Sequence, residues 1–408
     1  MENRIEKYAD LLIRSGLNVQ KGQNVVISCP VDCAPFARLC AKKAYAAGCR
    51  EVIVRWTDDE LAREKYLHAD DSVFDEVPRW VSDMHNDLSA GGAAWLSIAA
   101  SDPEALSGVD PDRITRDDAA GGKALKPFRD RQMSNFFPWC VASIPTKAWA
   151  KKVFPELSAE DAVAALWEKI LDAVRVYDDT DPVEEWKKHN ANLRKRADTL
   201  NAYNFKYLKY KNSLGTDLTI ELPESHIWVG GEEKCAAGHM FNANMPTEEV
   251  FTSPKRDGVN GIVYASKPLV VNGDIAENFC FKFKDGKIVN IHAEKGQELL
   301  ETATTVDEGA SFLGEVALVP YDSPISNSGI LFYNTLFDEN ASCHLAFGDA
   351  YPCVKGGNDM TREELDKFGI NASITHEDFM VGTKDLSITG ITHDGKEIPV
   401  FTDGNFAF

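Results

Sequence analysis

The sequence predicts an α/β protein in two parts: an amino-terminal parallel α/β domain, then an antiparallel-sheet-rich α+β domain. Three observations predict this. Four short apolar runs, at 24–30, 51–56, 93–100 and 139–145, alternate with helical sequence in the first half. Turn signals flanked by alternating runs fill the second half. Apolar residues make up 44% of the 408 residues, enough for real cores and unlike a disordered chain.

Residues 1–16 read as an amphipathic helix with Ile5, Ala9 and Leu12 on one face. NVVISCP (24–30) is β-branched and reads as a buried strand, followed by an Ala-rich helix over 34–47. EVIVRW (51–56) reads as a second buried strand. AAWLSIAA (93–100) and WCVASIP (139–145) read as a third and fourth, with a polar, helical insert between them. Gly121-Gly122-Lys123 is followed by Ala124 where a phosphate-binding loop needs Ser or Thr, so this sheet carries no complete nucleotide motif. Ser158 is a predicted N-cap with Asp161 three positions on. The helical stretch 157–204 includes His189 among lysines, which reads as a solvated surface histidine. The domain boundary is placed near 205, giving a scaffold over 1–204 and a catalytic domain over 205–408. Beyond it, a Ser-Leu-Gly turn, Asp285-Gly286 and Asp394-Gly395 each predict a hairpin.

The formal charge of −20 argues against nucleic acid and anionic membrane as partners. It suits a cationic substrate end, and equally serves solubility. No apolar run approaches the roughly 20 residues needed to span a bilayer. The charged opening MENRIEKYADLL is unlike a signal peptide, and nine scattered cysteines suit a reducing compartment. The expectation is a cytoplasmic protein. Cys29 and Cys33 have no second Cys or His pair nearby and read as structural.

The stretch 248–378 holds the chemistry. Glu249 lies in NMPTEEVFTSP, Glu315 in FLGEVALVP, His344 and Tyr351 in CHLAFGDAYP, and His376 and Asp378 in ITHEDFMVG. Two imidazoles and three carboxylates suffice for two divalent ions, and this donor mixture suits zinc, cobalt or manganese. Alternation along a strand puts Glu315 on the face of Leu313 and Ala317, His344 with Ala346 and Gly348, and His376 with Asp378. An ion, or a buried basic partner, would offset the cost of burying Glu315 in so apolar a run. In the expected arrangement Glu315 bridges two ions. Glu249 and His344 complete one, and His376 and Asp378 the other. Tyr351 has three readings: oxyanion donor, ligand or packing aromatic. His239 is a candidate to line the site, while His226, His292 and His393 read as structural. Cys343 falls on the strand face opposite His344, and no serine elbow is present, so a thiol or serine nucleophile is disfavoured.

The segments NMPTEEVFTSP, LGEVALVPYDSPIS, LFYNTLFDENASCHLAFGDAYP and THEDFMVGT resemble the aminopeptidase T / aminopeptidase S family of dinuclear metallo-aminopeptidases. So do MENRIEKYADLLIRSGLNVQKGQ and DGNFAF, and the resemblance spans essentially the whole chain. It implies that Glu249, Glu315, His344, Tyr351, His376 and Asp378 fall on metal-site positions. It further implies a cytosolic homodimer using zinc or cobalt, whose paired subunits enclose the active sites and favour short peptides with a free amino terminus. Two other readings stand beside it: a dinuclear metal phosphoesterase, and a non-catalytic metal-bearing peptide-binding protein. The donor set is rich in carboxylates and poor in thiols, which favours an open, catalytic site over a structural one.

Overall fold

The computed structural model describes residues 1–271 and 274–408. Its first strand and helices follow the apolar runs: α1 (Glu2–Leu11), β1 (Asn24–Pro30), α2 (Ala34–Ala46), β2 (Glu51–Thr57), α3 (Asp59–His68), α4 (Arg79–Ala90) and β3 (Ala94–Ile98). The polar insert forms α5 (Pro111–Ala124) and α6 (Lys126–Met133), before β4 (Trp139–Ala142). Strands β4, β3, β1 and β2 lie side by side in that order, all parallel. The inner strands β1 and β3 are almost continuously buried, as expected of parallel strands. β2 departs from the buried strand expected: it is the sheet edge, and Trp56 is 44% exposed. The Tyr45 hydroxyl accepts a hydrogen bond from the Val52 N–H at 3.2 Å, satisfying part of that edge.

After α7 (Lys147–Val153) come α8 (Ala159–Ala173) and the long α9 (Pro182–Tyr203). Ser158 caps α8 by accepting from the Asp161 N–H at 3.1 Å. His189 of α9 is not solvated. It is 7% exposed, meets the Thr247 carbonyl at 2.7 Å and stands edge-on to Trp186.

The second half is antiparallel. β5 (Tyr207–Lys211) and β6 (Asp217–Glu221) flank the Ser-Leu-Gly turn. Four two-residue strands follow: β7 (Val229–Gly230), β8 (Glu233–Lys234), β9 (Met240–Phe241) and β10 (Asn244–Met245). Then come β11 (Val250–Thr252), β12 (Val259–Tyr264), β13 (Leu269–Val271), β14 (Asp274–Lys284) and β15 (Lys287–Lys295). Asp285 and Gly286, both at positive φ, close the β14–β15 hairpin. After α10 (Gln297–Ala303) run β16 (Leu313–Leu318), β17 (His344–Gly348), β18 (His376–Met380), β19 (Ser387–Ile391), β20 (Glu397–Thr402) and β21 (Asn405–Phe406). Most of these strands form one large sheet. A smaller one has the order β18-β17-β16-β11-β7. One face of the smaller sheet sends Val316, Leu318, Leu345, Phe347 and Phe379 into a core shared with Phe281 of β14.

The chain divides into two compact units. The first is 1–190, 232–247 and 330–336, and the second is 191–231, 248–329 and 337–408. The compact units are thus interleaved in sequence: the segments 232–247 and 330–336 return to the first unit, and the second begins at 191, against the single boundary expected near 205. One return is held by β10, which pairs parallel with β4. The other is held by the Trp149 indole donating to the Phe332 carbonyl at 2.5 Å and by Asn334 donating to Ala99. Such short, irregular returns have no periodicity to announce them.

Candidate metal centre

All five residues expected as ligands lie in the second unit, on the smaller sheet or next to it. β16 pairs with β17 so that Glu315 faces Ala346 and Ala317 faces His344. β17 pairs with β18 so that Ala346 faces Asp378 and Gly348 faces His376. Side chains alternate along each strand, so Glu315, His344, His376 and Asp378 rise from one face. Glu249 immediately precedes β11, whose Phe251 pairs with Ala317, and joins them on that face. Ala346 and Gly348 leave room beside the imidazoles.

One expectation fails. Glu315 does not share a face with Leu313, because the register shifts between them and Gly314 is bulged out. Leu313 stands opposite Phe347 in the core, and the extra residue turns Glu315 to the other side. A Cβ on Gly314 would collide with the carbonyls of Gly348 and Asp349, so the bulge requires glycine.

The cluster is deeply buried: His344 is 1% exposed, Glu315 5% and Glu249 7%. His344 Nε2 lies 3.1 Å from Glu249, 3.8 Å from Glu315 Oε1 and 4.0 Å from Asp378 Oδ1. His376 Nε2 lies 3.4 Å from Glu315 Oε2 and 3.5 Å from Asp378 Oδ1. Among the described residues two groups could hold an ion, Glu249–Glu315–His344 and Glu315–His376–Asp378, each with its donor atoms within 4.8 Å of one another. They share Glu315, which turns one oxygen to each imidazole.

Backbone carbonyls hold both rings. His344 Nδ1 meets the carbonyls of Glu339 at 2.9 Å and Ser342 at 3.2 Å. His376 Nδ1 meets the Asp349 carbonyl at 2.7 Å. These contacts assign a proton to Nδ1 and aim Nε2 at the carboxylates, the outer arrangement of a metal-binding histidine.

Electrostatics agree with the geometry. Burial alone would depress both histidines. Pairing with Glu249 and Glu315 for His344, and with Asp378 and Glu315 for His376, outweighs it and raises both well above the ordinary range. Burial pushes the Glu249 carboxyl up, opposed by His344 and reinforced by Glu315 and Asp378. Asp378 is raised by burial but ends below its ordinary value because of His376. Buried like charges this close are costly without compensating positive charge, which protons or metal ions can supply. Imidazole nitrogen with carboxylate oxygen is a donor set that divalent zinc, cobalt or manganese fits.

The Tyr351 ring stands edge-on to His376 with centroids 5.9 Å apart, and packs on Phe251 at 5.4 Å. Glu339 is a further buried carboxylate beside the cluster that sequence reasoning missed. Burial, with Asp378 and Glu249 nearby, pushes it well above the ordinary range. It sits in the short turn Glu339–Ala341, where nothing in the spacing marks a side chain as buried. His239 lies in the β8–β9 turn of the first unit and belongs to neither ligand group. Cys343 points into the core, as expected, and burial pushes its thiol up to about 12.

A family model described as thermophilic metalloprotease (M29) matches residues 1–406. The chain is 50% identical over 406 residues to aminopeptidase AmpS of Bacillus subtilis (strain 168), covering 99% of this chain and 98% of that protein. It is 44% identical over 408 residues to aminopeptidase 2 of Geobacillus stearothermophilus, covering 100% and 98%. The solved structure of wild-type AmpT from Thermus thermophilus matches with a TM-score of 0.92 at 39% identity, covering 100% of both chains.

Proposed function

The chain belongs to the thermophilic metalloprotease (M29) family, and on that premise we infer that it is a metal-dependent exopeptidase releasing amino-terminal residues from short peptides. The observation that supports a two-ion site is Glu315, whose two carboxylate oxygens face different imidazoles. Glu315 would serve both ions, with Glu249 and His344 holding one and His376 and Asp378 the other. Zinc, cobalt or manganese fits these donors.

Divalent ions, when bound, lower the pKa of a water held between them and polarise the scissile carbonyl. The chain's own residues do the rest. The carbonyls of Glu339, Ser342 and Asp349 hold the two imidazoles in orientation. The apolar core behind the sheet keeps bulk water from that side of the carboxylates. Tyr351, beside His376, donates to the oxyanion that develops on the carbonyl. The surrounding acidity favours a substrate with a protonated amine. We assign the protein to the cytoplasm and to a homodimer. Among the described residues no helix is long and apolar enough to cross a membrane.

Dialysis against a strong chelator, followed by assay on leucyl and arginyl amides, their N-acetylated forms and phosphate esters, tests the reading. Free-amine amides are cut only after zinc, cobalt or manganese is returned. Full activity in metal-free protein refutes the mechanism, efficient cleavage of a blocked amide refutes the exopeptidase, and phosphate-ester hydrolysis alone favours the phosphoesterase.

A further inference from the structure

His376 owes its orientation to one peptide group, the carbonyl of Asp349, at 2.7 Å. That carbonyl lies just past the end of β17, where the chain leaves for an excursion that returns at Thr375 to begin β18. An ordinary excursion needs only its neck closed, and the Asp349 N–H does so by donating to the Thr375 carbonyl at 2.6 Å. Here the neck carries much more. The Asp349 carboxylate accepts from the Ser373 N–H at 3.2 Å and stands 3.6 Å from the Arg362 guanidinium. Arg362 also donates to the Asn371 carbonyl. Asn371, fully buried, donates from Nδ2 to the carbonyls of Gly348 at 2.6 Å and Gly309 at 2.9 Å. Asp307 ties the returning strand down, accepting from the Ser373 hydroxyl and the Ile374 N–H at 2.8 Å each. These bonds converge on the peptides flanking the carbonyl that takes the imidazole proton.

We propose that Asp349, with Arg362 as its partner, is a positioning residue: its clamped carboxylate fixes its own carbonyl, and that carbonyl aims His376 Nε2 at Glu315 and Asp378. The proposal rests on the metal-dependent reading above. It is also selective. His344 is held by the carbonyls of Glu339 and Ser342, which take no part in this network, so loosening Asp349 disturbs one half of the cluster.

The test is titration of the full-length, metal-stripped protein with cobalt(II), followed by visible absorption and calorimetry, for wild type, Asp349→Ala, Arg362→Gln and Arg362→Lys. Outer groups that orient a ligand are worth about 10–100-fold in metal affinity. Asp349→Ala is expected to weaken one of two cobalt sites by that factor and leave the other at its wild-type affinity. Arg362→Gln weakens the same site less, and Arg362→Lys recovers most of the loss. Arg362 is partly exposed, so its variants fold even if Asp349→Ala does not. Unchanged titration of both sites in the folded variants overturns the positioning role. Equal weakening of both sites overturns it too, since that marks general loosening. Wild-type protein that binds no cobalt overturns the underlying metal reading instead.

Discussion

Glu315 offers each of its oxygens to a different histidine, and this sets what its loss does. Glu315→Gln removes the charge serving both ligand groups and is expected to lose both ions, whereas His376→Ala loses mainly one. Elemental analysis of folded protein counts them, and two ions retained in Glu315→Gln exclude the bridge. Tyr351→Phe keeps its packing on Phe251 but loses a donor. It should lower kcat by about 10²–10³ with little change in KM and no change in metal content. An unchanged kcat removes the hydroxyl from the chemistry, and a lost ion makes it a ligand. His226 behaves differently. Burial holds it below the ordinary histidine range, and its Nδ1 meets the Pro223 carbonyl at 2.7 Å. It is neutral in the fold but titrates near 6.5 when unfolded. Its contribution is present above about pH 6.5 and is lost as pH falls through the depressed folded value. Thermal unfolding between pH 7.5 and 5 should show this loss, with a shallower slope in His226→Gln. At this scale the period-two spacing made His344, His376 and Asp378 legible from sequence. His189 was legible in principle: Trp186, His189 and Leu193 repeat at helical spacing and all three are buried. Its flanking lysines obscured that. Glu339 offered no pattern at all.

Among the elements, the β17–β18 pair is the most constrained. Gly348 ends β17 at φ +107°, opposite His376, and a Cβ there would collide with the Thr375 carbonyl. Gly348→Ala should therefore destabilise the protein by about 1–3 kcal/mol from backbone strain alone. The urea midpoint should fall and the affinity for one metal ion with it. A wild-type midpoint would show that the neck relaxes freely. The three hairpins were legible because Asp-Gly and Ser-Leu-Gly turns have a mechanism that acts within four or five residues. Edge position was not. EVIVRW has the composition of an inner strand, and only the absence of a further strand beyond it among the described residues makes β2 an edge.

For the whole molecule, fold class was legible because the first half alternates strand runs with helical sequence and the second half alternates strand runs with turn signals. The partition was not, because the chain returns to the first unit through 232–247 and 330–336. This predicts that residues 1–204 and 205–408, produced separately, do not give two folded halves. The first fragment lacks the strand that pairs with β4 and the segment that accepts from Trp149. Broad, weakly cooperative thermal transitions are expected for each, against a sharp one for the intact chain. Two sharp transitions would mean that the return segments are dispensable.

Gly314 has a consequence of another kind. The centre depends on how many residues lie between Leu313 and the ligands, as well as on which residues they are. Without the extra residue, Leu313 and Glu315 must share a face. Then either a carboxylate enters the aromatic core or a leucine enters the ligand face. Loss of a single codon would thus leave every ligand still encoded, in order and nearly in place, yet yield a silent protein. Among relatives of this chain, an inventory of ligand residues would count such a gene as intact. The length of the run from Phe312 to Val316 would separate working copies from lapsed ones.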